Sequence, residues 1–311
     1  MKMVITRIVL ALMHFRQWLV AQLTFGLLNM LKILPADPAI RFADRLARFI
    51  GPKLWRHRLM MTNLRNALPE KSEKELEEIA VASWGHMGRM AAEYVFLDRL
   101  FDFDPEKTEA GRVEVSGIPI FLDLRDNPRP FIVFTAHTGN FELLPVAGKA
   151  FGLEVMVLFR PPNNPYIADK VFSFRAARMG SLVPSHAGSS FALARRLEAG
   201  GGVGVLVDQK FKKGQSTSFF GLEVKTNPLL AKLVRQFDAE VYPARCIRLP
   251  DNRYRLEIEP KIDLPRDARG NLDIQGTAQL LNDKVESWVR EYPEQWLWYH
   301  DRWRIKDTVE R

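Results

Sequence analysis

Three stretches of this 311-residue chain place residues capable of chemistry directly after a short apolar run. His137 follows 131–136, Arg160 follows 154–159, and Asp208 and Gln209 follow 203–207. Histidine is the side chain whose ordinary pKa lies near neutrality, so it suits general-base work. Five residues beyond it, in His137-Thr138-Gly139-Asn140-Phe141-Glu142, comes a carboxylate. A turn between the two can bring Glu142 against one ring nitrogen. There it would fix the tautomer and stabilise the imidazolium, as in a catalytic triad without its serine. Gly139 permits a tight turn, Asn140 is a candidate helix cap, and backbone N–H groups nearby could hold an anion. From spacing alone, a structural loop histidine would account for His137 equally well.

Other chemistries find less support. No Gly-x-Ser-x-Gly elbow offers a nucleophile, which favours direct attack by a substrate hydroxyl. Histidines 14, 57, 86, 186 and 300 lack ligand spacing, and the single cysteine, Cys246, can build neither a disulfide within the chain nor a cysteine zinc site. Glycines 200–202 and 204 precede or begin a strand rather than following one. A helix stop and turn explains them better than a phosphate-binding loop. No metal and no cofactor is expected.

These residues need a frame. Apolar runs at 131–136, 154–159, 181–184 and 203–207 read as strands, separated by helical stretches near 141–151, 166–179 and 189–199. Strand–helix alternation argues for an α/β layer. Pro184 marks its run as an edge strand. Runs at 240–247 and 254–259 extend the sheet, and a last helix covers 276–291. In open α/β sheets ligands gather beyond the carboxyl ends of the strands, so a base, a cation and a carboxylate should share one rim. Residues 36–110 read as helical, with Ser72 and Glu75 forming a capping box. The expected fold is therefore α/β, with a mixed, largely parallel central sheet flanked by helices, an N-terminal membrane-anchor helix and a helical subdomain. The expected division is 1–34 as membrane anchor or interfacial helix, 35–110 as helical subdomain, and 111–311 as α/β core.

Hydrophobic residues make up 47% of the chain and the formal charge is +8. A basic balance points to an anionic partner. Nothing between Arg16 and Lys32 is charged, but that run is short of the roughly 20 apolar residues a span needs. Extension back to Val4 takes in Arg7, His14 and Arg16. The segment reads as an uncleaved anchor or membrane-surface helix, ahead of a buried soluble helix or a cleaved signal. Lys32, Arg41, Arg45, Arg48, Lys53, Arg56 and Arg58 follow. They would keep the body cytoplasmic if the segment spans, or hold anionic headgroups if it lies flat. No zinc finger or basic–aromatic motif supports a nucleic-acid partner.

The run from His137 to Glu142 resembles the histidine-x4-acid motif of glycerolipid-type acyltransferases. More narrowly, ordered blocks resemble the late acyltransferases of lipid A biosynthesis, the lauroyl/myristoyl type. They are 63–72, 160–165, Asp208-Gln209 with Phe219-Phe220-Gly221, and 292–304. Thr138, Phe141 and Asp301 depart from residues common in that family. The resemblance implies a glycerol-phosphate-acyltransferase-like core at the cytoplasmic face of the inner membrane. The donor would be an acyl carrier protein thioester, and the acceptor a hydroxyl on a hydroxyacyl chain of a phosphorylated lipid A precursor. It implies His137 as general base and Glu142 as its partner. Arg160 or the backbone near Gly139 and Asn140 would stabilise the oxyanion. Arg160, Asn164 and Arg178 would position the acceptor, with Asp208 and Gln209 in the same site. Arg175, Arg195, Arg196, Lys210, Lys212 and Lys213 could meet the acidic donor or the phosphates. Trp296, Trp298, Tyr299 and Trp303 suit either the bilayer interface or the core. The alternatives are an acyl-CoA-dependent lysophospholipid or glycerol-phosphate acyltransferase, and a non-catalytic binder of anionic lipid that would not depend on His137.

Overall fold

Four helices lead the chain in a computed structural model that describes residues 2–106, 111–185 and 188–303. His186 and Arg304, singled out above, lie outside these residues. Helix α1 covers Lys2–Leu31, α2 Ala36–Ile50, α3 Arg56–Ala67 and α4 Glu73–Leu100. The expected capping box starts α4: the Ser72 hydroxyl accepts from the Glu75 N–H, and the Glu75 carboxylate accepts from the Ser72 N–H. Helices α2 and α4 pack closely because Gly88 has no side chain. A Cβ there would lie 2.4 Å from the Ala43 carbonyl oxygen.

A seven-stranded sheet follows. Its strands are β1 Val113–Ser116, β2 Phe131–Thr135, β3 Val155–Phe159, β4 Leu182–Pro184, β5 Gly202–Leu206, β8 Glu240–Leu249 and β9 Arg253–Ile258. Their order is β1-β9-β8-β2-β5-β3-β4. Every pairing is parallel except that of β8 with β9. This is the mixed, largely parallel sheet expected, and β4, carrying Pro184, lies at its edge. Pro243 sits in the interior strand β8, where a proline is normally excluded. It falls where β8 leaves its ladder with β2 and takes up the one with β9, so its missing N–H interrupts neither.

The connecting helices are α5 Ile118–Asp126, α6 Leu143–Ala150, α7 Pro165–Met179, α8 Ser189–Glu198, α9 Leu229–Phe237 and α10 Ile274–Glu291. Gly200, at φ +72°, makes the turn between α8 and β5, the helix stop expected of that glycine run. Two further strands, β6 Lys210–Phe219 and β7 Leu222–Thr226, form a separate antiparallel hairpin. Its two-residue loop, Phe220-Gly221, has positive φ at both positions, as hairpin turns of this length require.

Trp296, Trp298 and Trp303 are buried against Phe219 and Phe220. Of the two readings open for these tryptophans, core packing is the one found. No helix among the described residues is long and apolar enough to cross a membrane. Nor is α1 a buried helix: Leu12, Phe15, Leu19, Leu23, Leu27 and Met30 are exposed along it.

Candidate active site

Strands β2 and β5 are hydrogen-bonded neighbours, Thr135 opposite Leu206, so their carboxyl ends bring the two following segments together. His137 leaves β2 and Asp208 leaves β5. The Asp208 carboxylate accepts from the His137 ring at Nδ1 (2.8 Å) and from the His137 backbone N–H (3.0 Å). It also accepts from the Trp296 indole N–H at 2.8 Å. A carboxylate on Nδ1 places the proton there and leaves Nε2 with its lone pair. The Gln209 amide donates to that Nε2 at 3.1 Å. Asp208 is 3% exposed, and burial by itself would raise its pKa. The His137 ring, its two hydrogen bonds and the Trp296 bond outweigh burial and hold the carboxyl well below the usual range.

Glu142 was expected on the histidine ring, and this is corrected. Its carboxylate pairs with Arg175 from α7. Burial pushes its pKa up, against the opposing pull of Arg175 and, more weakly, His137. The reason is local. Glu142 is itself the residue capping α6, so its side chain faces α7, while the adjacent strand end delivers Asp208 to the ring. Phe141 lies between, its ring edge-on to His137 at 4.9 Å.

The other expected site residues divide. Gly139 makes the turn, with φ +56°, and a Cβ there would stand 1.9 Å from the Cys246 carbonyl oxygen. Asn140 is not a helix cap; it is buried and its amide donates to Glu93 at 3.0 Å. The backbone N–H of Gly139 donates to the Gln295 carbonyl at 3.1 Å, and that of Asn140 points to the Cys246 sulfur. Neither is an open oxyanion donor. Asn164 does cap a helix, accepting from the Tyr166 N–H at 3.1 Å, and its amide ties α7 to Gln17 of α1 at 2.7 Å. Arg178 pairs with Asp98 and lies over the Phe174 ring. Arg160 is exposed after β3 and does not join the histidine. Thus the rim gathers the base and the carboxylate, and the expected cation there is replaced by Arg175.

On one face of the sheet, beneath α5, α6 and α7, lies a cavity of about 780 Å³. Val133, Val155, Val157 and Leu206 line its sheet side, and Gly204 leaves room there. The cavity follows α6, with Phe141, Glu142 and Arg175 at the start of that helix and Phe151 beyond its end. Eight residues of helix make that run about 12 Å. Phe101, Phe103 and Phe121 surround Phe151. Most of the wall surface is apolar, as a binding site for a hydrocarbon requires, and besides Glu142 and Arg175 the charged residues Arg125, Lys149, Glu154 and Glu257 contribute to the lining. Among the described residues no group of acidic, histidine and cysteine side chains is arranged to hold a metal.

Sequence reasoning missed Gln295 and Trp296 as positioning residues, having read the terminal block for its aromatic character. It also missed Glu93 and Arg248. Nothing in their local sequence marks them, because their role arises only where α4 and β8 meet behind the turn.

A histidine–carboxylate pair at adjoining strand ends of an α/β sheet, with an apolar cavity along the helix that follows the histidine, suits the class of proteins that act on substrates carrying a hydrocarbon chain. The comparison with known proteins makes that class particular. The chain belongs to the bacterial lipid A biosynthesis acyltransferases, whose family model matches residues 7–305. It is similar to the lipid A biosynthesis lauroyltransferase of Escherichia coli K12, 25% identical over 93% of this chain and 89% of that protein. The lipid A biosynthesis myristoyltransferase of the same organism is 26% identical over 84% and 79%. A lipid A biosynthesis acyltransferase of Haemophilus influenzae is 22% identical over 87% and 83%. The chain is accordingly an acyltransferase, and a lipid A precursor is the acceptor its family implies.

Proposed function

We propose that the protein transfers a fatty acyl chain from an acyl carrier protein thioester to the hydroxyl of a hydroxyacyl chain on a phosphorylated lipid A precursor. His137 is the general base. The observation that carries this reading is the His137–Asp208 pair, with its ring proton directed to Nδ1 and its basic nitrogen facing the Gln209 amide. An incoming hydroxyl takes the place of Gln209 on Nε2. His137 removes its proton as the oxygen attacks the thioester carbonyl. The tetrahedral oxyanion collapses, the carbon–sulfur bond breaks, and the imidazolium returns the proton to the departing thiolate. Asp208 keeps the tautomer and balances the imidazolium charge, the part first expected of Glu142.

Glu142 keeps a role through Arg175. The pair stands at the polar end of the cavity, and Arg175 is the cation we assign to the developing oxyanion. The donor's hydrocarbon chain lies along α6, and the bulk of Phe101, Phe103, Phe121 and Phe151 limits its length.

The same reading places the protein on the cytoplasmic face of the inner membrane. Along α2 and beyond, Phe42, Leu46, Phe49, Ile50, Leu54 and Trp55 are exposed. Arg41, Arg45 and Lys53 are exposed among them. An apolar face rimmed by cations suits an interfacial helix on anionic lipid. Together with exposed α1 it supports 1–34 as an interfacial segment rather than a span.

Transfer to a phosphorylated lipid A precursor from matched acyl carrier protein and acyl-CoA donors tests the assignment. Faster transfer from the carrier protein is expected. Preference for acyl-CoA with a lysophospholipid acceptor would replace it with the glycerolipid reading.

A further inference from the structure

The catalytic turn has a buried ionic support on the side away from the cavity. Arg248 of β8 and Glu93 of α4 are 6% and 1% exposed, and the guanidinium donates to the carboxylate twice, from Nε at 3.1 Å and Nη2 at 2.5 Å. Burying two charges is costly, and an apolar pair of similar volume would serve packing as well or better. What an apolar pair could not do is hold the turn. Arg248 spends its remaining nitrogen, Nη1, on the Gly139 carbonyl oxygen at 2.6 Å. Glu93 accepts from the Asn140 amide at 3.0 Å. Each charge therefore grips one of two consecutive residues that follow the histidine. Gln295 ties the same place from a third element. Its side-chain amide pairs with the Arg248 backbone at 2.8 and 3.0 Å, and its carbonyl accepts the Gly139 N–H at 3.1 Å.

We infer that Glu93 and Arg248 are positioning residues for acyl transfer: they fix the backbone at Gly139 and Asn140 so that the His137 ring meets Asp208. This rests on the reading of His137 as the base. The Asp208 carboxylate is held by the Trp296 indole and not by Glu93 or Arg248, so loss of the support lets the histidine shift relative to its carboxylate. The pair then sets the rate of the chemical step and not the affinity for either substrate.

The test compares three full-length proteins in detergent: wild type, Glu93→Gln, and the double substitution Glu93→Leu with Arg248→Met. The double variant leaves no unpaired buried charge, so it separates folding from positioning. Each is assayed for kcat and KM, and the His137 Nδ1 proton is followed by NMR with labelled histidine. We expect the double variant to keep a wild-type melting temperature and KM, to lose at least tenfold in kcat, and to lose or broaden the low-field Nδ1 proton. Glu93→Gln, which can still accept from Asn140, should lie between. A folded double variant with unchanged kcat and an unchanged proton signal would overturn the inference. So would equal losses in kcat and melting temperature for both variants with the proton signal intact, which describes a purely structural pair. The proton signal does not depend on the donor or acceptor. A failure of the His137 reading, seen as activity in His137→Ala, is therefore distinct from a failure of this one.

Discussion

At the residue scale the proposed mechanism gives the two carboxylates near His137 different work, and mutation should separate them. Asp208→Asn removes the charge on Nδ1 and allows the wrong tautomer. The analogous change in a serine protease triad costs about 10⁴-fold in kcat, so a loss of 10³-fold or more is expected here with little change in KM. Glu142→Gln leaves His137 bonded to Asp208 and weakens only the hold on Arg175. A smaller loss, about 10- to 100-fold, is expected from one perturbed electrostatic group. Steady-state kinetics of both variants decides; a larger loss in Glu142→Gln would return the dyad to Glu142.

His300 gives a pH prediction. It is largely buried, and its Nε2 accepts from the Lys210 N–H at 3.3 Å. Burial lowers its pKa to about 4, with His137, Arg302 and Lys210 adding to it and the Asp208 carboxylate opposing it. Unfolded, it titrates near 6.5. Between those values the unfolded chain binds the extra proton, so stability falls as the pH drops from about 6.5 to about 4, by at most about 3 kcal/mol. His300→Asn, which can still accept from that N–H, should flatten the acid limb of melting temperature against pH. An unchanged limb would assign the acid sensitivity to other groups.

At the scale of elements, the turn after β2 is the feature on which the proposed site depends. Gly139→Ala must place a Cβ at positive φ against the Cys246 carbonyl. Backbone strain of this kind costs of order 1–3 kcal/mol. We expect a lower melting temperature and a loss of activity larger than that destabilisation explains, measured on the folded fraction. Wild-type turnover would show that the turn tolerates displacement.

What the sequence carried and what it hid can be traced to particular elements. Strands β2, β3, β4, β5, β8 and β9 announce themselves as apolar runs, and the capping box of α4 is a local chemical signal. The β6–β7 hairpin was not legible, because a phenylalanine at positive φ is no turn signal. Phe220 accepts that backbone because its N–H donates to Glu286 at 2.5 Å and its ring packs on Trp298 and Trp303. The pairing of His137 was misread for a related reason. Spacing along the chain offers Glu142, but strand order decides which carboxylate arrives, and only the adjacency of β2 and β5 brings Asp208. Gln209, expected beside Asp208, meets the His137 ring, and its backbone carbonyl accepts from buried Arg302 at 3.1 Å, a side chain that no spacing argument reached.

At the scale of the whole molecule, the chain carries a net charge of +8, and Arg41, Arg45 and Lys53 are exposed among the apolar residues of α2 and the turn after it. Each basic side chain near an anionic surface contributes about 1 kcal/mol. Replacing Arg41, Arg45 and Lys53 together by glutamine should weaken binding to vesicles containing anionic phosphatidylglycerol by about 100-fold, with no change in binding to neutral ones. Co-sedimentation at low and high salt measures this. Unchanged binding would leave attachment to α1 alone and remove the charge from the account.

His137 is proposed as the base of an acyl transfer to a lipid A precursor. The direct measurement is transfer of a labelled acyl chain from acyl carrier protein by purified wild type and by His137→Ala, both shown to be folded. If His137 is the base, the wild type transfers the chain robustly and the variant loses about 10³-fold or more. Comparable transfer by both proteins would contradict it.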